Sequence, residues 1–169
     1  IDADELVSEQ LKKEILGSIE ESSNNGFYIK RQDELFGRRL KYGELLGKKF
    51  LRLGRTQSGK WRGAVHEVWD VHGGTKTLSN PIIHKPHQTI FEFLAEVNFY
   101  STLRAEELHI AKKKASFWSL IIYTKGKFFY LYIIKLGFLD GVPGLIMSCT
   151  MSLYTFLTRG KLFLLQFKK

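Results

Sequence analysis

The C-terminal part of the chain differs from the rest in charge and in apolar content. Residues 1 to 100 carry 15 Lys and Arg against 14 Asp and Glu, whereas residues 101 to 169 carry 11 against 3. The second stretch therefore holds +8 of the net charge of +9. Between Asp140 and Arg159 lie 18 uncharged residues, a length at the lower limit for a membrane span. Ser148 and Thr150 are among the polar residues that dilute this stretch, so we expect it to lie on or dip into a membrane rather than cross it.

Aromatic residues decide which polyanion this basic part would meet. Between residues 115 and 135 aromatic and aliphatic side chains alternate with Lys125, Lys127 and Lys135. This mixture is typical of a helix at a membrane interface rather than of a polar nucleic-acid groove. The alternative is an ordinary helical core with lysines on its wet face. We therefore expect a catalytic or binding portion over residues 1–114, a helical membrane-associating tail over 115–169, and no nucleic-acid partner.

Length and cysteine content place the chain among globular intracellular proteins. With 169 residues and 44% hydrophobic content it can bury a core. Cys149 is the only cysteine, which excludes an internal disulfide and a cysteine-rich zinc site and fits a reducing, cytoplasmic setting. Because Ile1 already belongs to a motif, we expect the chain to be part of a longer protein whose N-terminal portion precedes it.

Local patterns predict alternating helices and strands. Ser8 can cap a helix, and Thr89 with Glu92 forms a capping box at the start of another. The patterns predict a helix over 9–20, a strand over 27–29, a loop with a short helix over 30–49, a strand over 49–53, a long helix over 89–113, and a last helix beginning near 140–144.

Two carboxylates one residue apart open the chain, in Ile1-Asp2-Ala3-Asp4-Glu5. In an extended segment Asp2 and Asp4 would point to the same side. Magnesium and manganese prefer carboxylate oxygen and are often held by one or two carboxylates together with substrate phosphates. The pair therefore indicates a divalent cation bound against a diphosphate, unless the acids only cap a helix or a turn.

Three strings in order along the chain resemble a bacterial family 2 glycosyltransferase, and within it the lipopolysaccharide or lipooligosaccharide core glucosyltransferase group. They are Ile1-Asp2-Ala3-Asp4-Glu5, Gly63-x-Val65-His66-Glu67 and Gly137-Phe138-Leu139-Asp140-Gly141-x-Pro143-Gly144. The resemblance implies an α/β chain that is the C-terminal part of a GT-A nucleotide-diphospho-sugar transferase fold. Residues 1–114 would be the C-terminal portion of the catalytic domain, followed by the membrane-associating tail over 115–169. The uridine-binding half would precede Ile1, so these residues alone should be inactive.

The resemblance also implies an activity. An inverting enzyme would transfer a hexose, with glucose expected, from a nucleotide-diphospho-sugar such as UDP-hexose to a lipopolysaccharide-core or related glycolipid acceptor. A Mg or Mn ion would assist the departure of the diphosphate. The enzyme would act at the cytoplasmic face of the bacterial inner membrane as a peripheral or monotopic protein. A polyprenyl-phosphate or capsule intermediate as acceptor, or a noncatalytic membrane-binding module, are the alternatives.

By the same resemblance, Asp4 would be the metal ligand and Asp2 would lie near the ribose or the donor sugar. Glu67 would be the base that deprotonates the acceptor hydroxyl, with Asp70 as the alternative because His66 stands where many relatives have a second acid. His84 would be a further metal or diphosphate contact, or else a buried structural residue. Arg31 and Arg52 would contact the diphosphate or an acceptor phosphate, or else be surface charges.

Overall fold

The computed structural model describes residues 1–21, 23–62, 68–86 and 89–167. The chain is a mixed α/β protein with an apolar C-terminal helix. Its strands are β1 (Glu5–Leu6), β2 (Gly26–Leu35), β3 (Arg38–Arg39), β4 (Lys49–Gly54), β5 (Gly59–Arg62), β6 (Val68–Val71), β7 (Thr75–Thr77) and β8 (Ile82–His84). Its helices are α1 (Glu9–Glu21), α2 (Ile90–Ile110), α3 (Phe117–Phe129) and α4 (Gly141–Leu165), with a π-helical turn over Tyr130–Ile134 and 3₁₀ turns over Gly43–Leu45 and Gly137–Asp140.

The chain divides into two compact units. The first unit consists of Ile1–Glu34 and Gly47–Pro86, and the second of Leu35–Leu46 and His87–Lys169. This grouping differs from a division after residue 114, because α2 packs against α4 and therefore belongs with the C-terminal helices.

Strand β2 organises the sheet of the first unit. β4 pairs with it antiparallel, while β7 and β8 pair with it in parallel at residues 26–28 and 31–33. β1 then pairs antiparallel with β8. β5 and β6 form a separate two-stranded antiparallel ribbon. The consequence is that the N-terminal acidic segment lies beside the end of β8.

The core of the first unit forms between α1 and this sheet. Leu11 of α1 is buried in one cluster with residues of β2 and β8 and their neighbours, namely Phe27, Ile29, Leu78 and Ile82. The predicted start of α1 is confirmed, since the Leu11 N–H donates to the Ser8 Oγ at 3.2 Å.

The loop predicted over residues 30–49 is wrong in its first part. β2 continues to Leu35, and alternate residues of it, including Phe27, Ile29, Asp33 and Leu35, are buried. The charged residues Arg31, Asp33 and Glu34 gave this stretch the composition of a loop. Each of them has a partner of opposite charge or a histidine in the folded chain, which lets the strand carry them.

The second unit is built from three helices. The capping box of α2 is confirmed, with the Glu92 N–H donating to the Thr89 Oγ1 and the Thr89 N–H donating to the Glu92 carboxylate, both at 3.1 Å. Phe93 and Val97 of α2 pack against Met147 of α4, and Ala105 of α2 against Leu162. The predicted last helix is also confirmed, with Pro143 in the first turn of α4.

Within the part of the chain that the structure describes, one segment, Gly137–Leu165, is long and apolar enough to cross a membrane, with a mean hydropathy of 1.2. Within its most apolar window 39% of the residues are buried inside the protein. The length and composition of this helix support membrane association.

Candidate functional site

The acidic N-terminal segment is held in a fixed position at the edge of the sheet. The Glu5 N–H donates to the Asp2 carbonyl at 3.1 Å, which closes a turn around Ala3 and Asp4. The Lys85 N–H donates to the Asp4 carbonyl at 2.8 Å, directly after β8 ends. The backbone of Asp4 is therefore tied to the strand that carries His84.

Asp4 and His84 meet through their side chains. The Asp4 Oδ2 lies 3.1 Å from the His84 Nε2, and the other ring nitrogen of His84, Nδ1, lies 2.7 Å from the Asp33 Oδ1. Asp33 is only 2% exposed and His84 9%, whereas the Asp4 side chain is 42% exposed. The three residues thus form a row that leads from the interior to the surface.

Arg31 lies behind this row rather than on a free surface. Its Nε is 3.0 Å from the Asp33 Oδ1, and its guanidinium lies 5.0 Å from the centre of the Phe50 ring. The Nε is buried and makes no hydrogen bond, so the contact with Asp33 is an ion pair without hydrogen-bond alignment. Arg31 therefore balances the charge of Asp33.

Arg52 joins the other two carboxylates of the N-terminal segment. Its Nη2 lies 2.8 Å from the Asp2 Oδ2 and 2.8 Å from the Glu5 Oε1. The Glu5 side chain is fully buried, while that of Asp2 is 60% exposed. Asp2 and Arg52 were both predicted to lie at the site, and the structure brings them into contact. The guanidinium was expected to contact phosphate, and here it contacts the carboxylates of Asp2 and Glu5.

Asp70 lies on a different part of the first unit, the β5–β6 ribbon. Its Oδ2 is 2.8 Å from the Arg62 Nη2, and its side chain is 45% exposed. A cavity of about 300 Å³ opens beside it and is lined by Tyr28, Leu51, Arg62, Trp69, Asp70, Val71 and Thr75. Glu67, the predicted base, and His66 lie outside the described residues.

Two members of the cluster were missed by sequence reasoning. Glu5 follows Asp4 directly, but its position in β1 places its side chain in the interior. Asp33 occupies an inward-facing position of β2, in the same alternation as Phe27 and Ile29. An acid in a buried alternation is a signal that sequence reading could have used, because a buried carboxylate requires partners.

Among the described residues, no group of three or more His, Cys, Asp or Glu side chains is arranged to hold a metal ion by itself. Asp4 and His84 would supply two ligands. Comparison with known proteins adds no assignment, since no protein-family model and no solved structure matches the chain.

Proposed function

We propose that this chain is the C-terminal part of a membrane-associated glycosyltransferase of the GT-A fold. It would transfer a hexose with inversion from a nucleotide-diphospho-sugar to a glycolipid acceptor of the lipopolysaccharide-core class. The enzyme would work at the cytoplasmic face of the bacterial inner membrane. The proposal rests on one observation, the contact between Asp4 of the Asp2-x-Asp4 segment and His84 at the edge of a mixed sheet.

The side chains present fit a divalent cation that also binds a diphosphate. Two adjacent ligands of an octahedral ion with bonds of about 2.1 Å lie about 3.0 Å apart, and the Asp4 Oδ2 and the His84 Nε2 are separated by 3.1 Å. The half-exposed Asp4 would leave the outer positions of such an ion open to phosphate oxygens. When bound, the ion would neutralise the departing diphosphate as a Lewis acid.

Arg52 has a role in this arrangement that differs from phosphate binding. It compensates the charges of Asp2 and Glu5, which lie two and one residues from Asp4 in the chain. Without that compensation, several carboxylates in one tight turn would repel each other. We infer that Arg52 holds the acidic turn in the shape that presents Asp4, and that Asp2 remains exposed enough to contact a donor sugar.

The second unit is the part of the chain that we propose to associate with the membrane. Among the described residues, 28 large apolar side chains are exposed, and 23 of them belong to this unit. On α3 the exposed residues Trp118, Ile122 and Phe129 recur at helical spacing and form one stripe. A soluble surface rarely exposes so much apolar area, whereas an interfacial helix requires it.

Charge favours an anionic lipid as the partner of this surface. Lys112, Lys113 and Lys114 are exposed between α2 and α3, and Lys125 is exposed within the apolar stripe. Lys127 and Lys135 are engaged within the protein, with the Glu44 carboxylate at 2.9 Å and the Leu46 carbonyl at 3.2 Å. Each lysine close to an anionic leaflet adds about 1 kcal/mol to binding.

Replacing Asp4 by Asn in a polypeptide that includes the expected nucleotide-binding half tests the proposed activity. The variant should lose transfer of radiolabelled hexose from UDP-hexose to a glycolipid acceptor. It should also lose the Mn²⁺ dependence of donor binding, because the amide is a poor ligand for a hard cation. Glu9→Gln is the matched control, since Glu9 is a solvent-exposed acid at the start of α1, close to Asp4 in the sequence.

A noncatalytic membrane-binding module is the second candidate, and the exposed apolar surface of the second unit is compatible with it. Such a module would be indifferent to the loss of Asp4. If the wild-type polypeptide binds vesicles but neither UDP-hexoses nor Mn²⁺, the enzyme assignment is wrong and the module is the better description.

A further inference from the structure

We propose that Asp33 is a positioning residue that fixes the tautomer and the orientation of His84, so that the Nε2 of His84 faces the cation site beside Asp4. This inference rests on the proposed function for the identity of the ion, but the tautomer itself can be tested without any ion. Asp33 would touch neither the donor nor the acceptor and would act only through His84.

The strands place Asp33 and His84 side by side. β2 and β8 run parallel, with Asp33 directly opposite His84 in the register of the sheet. Directly paired residues of adjacent strands point to the same face of a sheet. The strand pairing therefore brings the two side chains side by side, and the Asp33 Oδ1 lies 2.7 Å from the His84 Nδ1.

The chemistry of the two groups determines where the hydrogen lies. A carboxylate offers only acceptor atoms, so the bond to Asp33 requires the hydrogen of the imidazole on Nδ1. A neutral imidazole has one N–H, so its Nε2 then carries a free lone pair. That nitrogen lies on the side of Asp4, 3.1 Å from its carboxylate. In its neutral form the ring is thus held in the tautomer that can bind a metal ion through Nε2, whereas a doubly protonated ring would direct an N–H toward each of the two carboxylates.

Asp33 is too deeply buried to be present only to fill space in the core. A carboxylate that is 2% exposed is costly unless it is paired. Asp33 has two such partners, His84 through a hydrogen bond and Arg31 through an ion pair. With a cation beside Asp4, the row would form the carboxylate–histidine–metal arrangement in which the outer acid orients the ligand.

The first experiment measures the His84 tautomer in the ion-free protein. The ¹⁵N shifts of the five histidines, recorded at a pH where neutral rings are present, are assigned by comparison with a His84→Gln variant. We expect His84 to be the Nδ1–H tautomer, against the usual preference of free imidazole for hydrogen on Nε2. The Nε2–H tautomer in the wild-type protein would overturn the proposal, and this result does not depend on how any Asp33 variant folds.

The second experiment replaces Asp33 by Asn. An amide offers both a donor and an acceptor, so it can accommodate either tautomer, and the preference for Nδ1–H should be lost. Mn²⁺ affinity, measured by the spectroscopic signal of free Mn²⁺, should fall about 10- to 100-fold, as is usual when the residue behind a ligating histidine is changed. Glu34→Gln removes the adjacent acid of β2, which pairs with Lys85, and should leave both readouts unchanged.

The outcomes separate this inference from the proposed function. If Asp4→Asn and His84→Gln leave Mn²⁺ binding unchanged, the metal site is wrong, while the tautomer measurement still decides the role of Asp33 toward His84. If those two variants lose Mn²⁺ but Asp33→Asn keeps both the tautomer and the affinity, the metal site stands and the positioning role is wrong.

Discussion

At the scale of single residues, Glu14 shows how one carboxylate joins two segments of the first unit. From α1 it accepts hydrogen bonds from the Ser79 N–H at 2.6 Å, the Asn80 N–H at 2.9 Å and the Asn80 Nδ2 at 2.8 Å. Burial alone would raise the pKa of Glu14, but the hydrogen bonds from Ser79 and Asn80 outweigh it and lower the pKa below its usual value of 4.5. The carboxylate therefore fixes the turn that leads into β8 and His84.

The lowered pKa of Glu14 predicts a pH-dependent contribution to stability. Because the folded state binds the proton less tightly than the unfolded state, the contribution is complete above the usual value and is lost as the pH falls through the folded pKa. In urea unfolding, wild type should be more stable than Glu14→Gln at neutral pH, and the difference should shrink with acidification. Glu20→Gln, an exposed acid of the same helix, should show no such difference. A constant gap between wild type and Glu14→Gln would contradict this assignment.

The second prediction at the scale of residues concerns Glu67, the proposed catalytic base. Glu67→Gln preserves size but removes basicity, and a positioned base contributes about 10²- to 10⁴-fold in rate. If Glu67 is the base, hexose transfer should fall by that factor while donor binding is retained. Asp70→Asn should have a smaller effect, because Asp70 is already paired with Arg62 at 2.8 Å. The reverse ranking of the two variants in a steady-state transfer assay would assign the role to Asp70.

At the scale of elements, the turn between α3 and α4 and the first residues of α4 contain the string over residues 137–144, which contributed to the family resemblance. The structure gives this string a local reason. Gly141 has a φ of +65°, and a Cβ on Gly144 would lie 2.0 Å from the Gly137 carbonyl oxygen, so both positions favour glycine. Asp140 accepts hydrogen bonds from the Lys41 N–H at 3.1 Å and the Tyr42 N–H at 2.9 Å. The string is therefore explained by the packing of the second unit.

Removing the Asp140 carboxylate should destabilise the second unit. Asp140→Ala leaves the Lys41 and Tyr42 N–H groups without this acceptor, and because both are within reach of water the cost should be about 0.5–1.5 kcal/mol. Urea unfolding should register that loss, and Asp140→Asn, which keeps one acceptor oxygen, should recover part of it. Equal stability of wild type and the Ala variant would mean that water replaces the carboxylate at no cost.

Elements with local signals were predictable from the sequence, whereas those that depend on distant partners were not. The capping box of α2 is complete within four residues, and its prediction is confirmed. The continuation of β2 to Leu35 depends on Lys85 and His84, which lie about fifty residues further along and balance its acids. Asp4 and His84 could be named as candidates from their own strings, whereas the sequence marks Asp33 only as an acid at an inward-facing position of β2, because its partner His84 lies about fifty residues further along.

At the scale of the whole molecule, the second unit buries several small polar residues beside its apolar core and exposes many large apolar side chains. Its buried residues include Ser101, Ser148, Thr150, Ser152 and Thr158, while 23 large apolar side chains of its described residues are exposed. The Ser152 Oγ donates to the Thr124 carbonyl of α3 at 2.7 Å, which shows how a small polar residue serves at the contact between helices. Small residues between helices and large apolar ones outside are typical of proteins that contact lipid.

The stripe on α3 gives the last prediction. Trp118, Ile122 and Phe129 are each at least 60% exposed, and burying one such side chain contributes roughly 1.5–3 kcal/mol. Replacing all three by Gln should lower partitioning into anionic vesicles at least about 100-fold. The control replaces Leu16 and Ile19 by Gln, since these are exposed apolar residues of the first unit, and it should sediment with vesicles like wild type. High salt should release the wild type only partly, because the lysines supply one part of the binding and apolar burial the other. If the triple variant still sediments like wild type, the exposed stripe serves a protein partner instead of lipid.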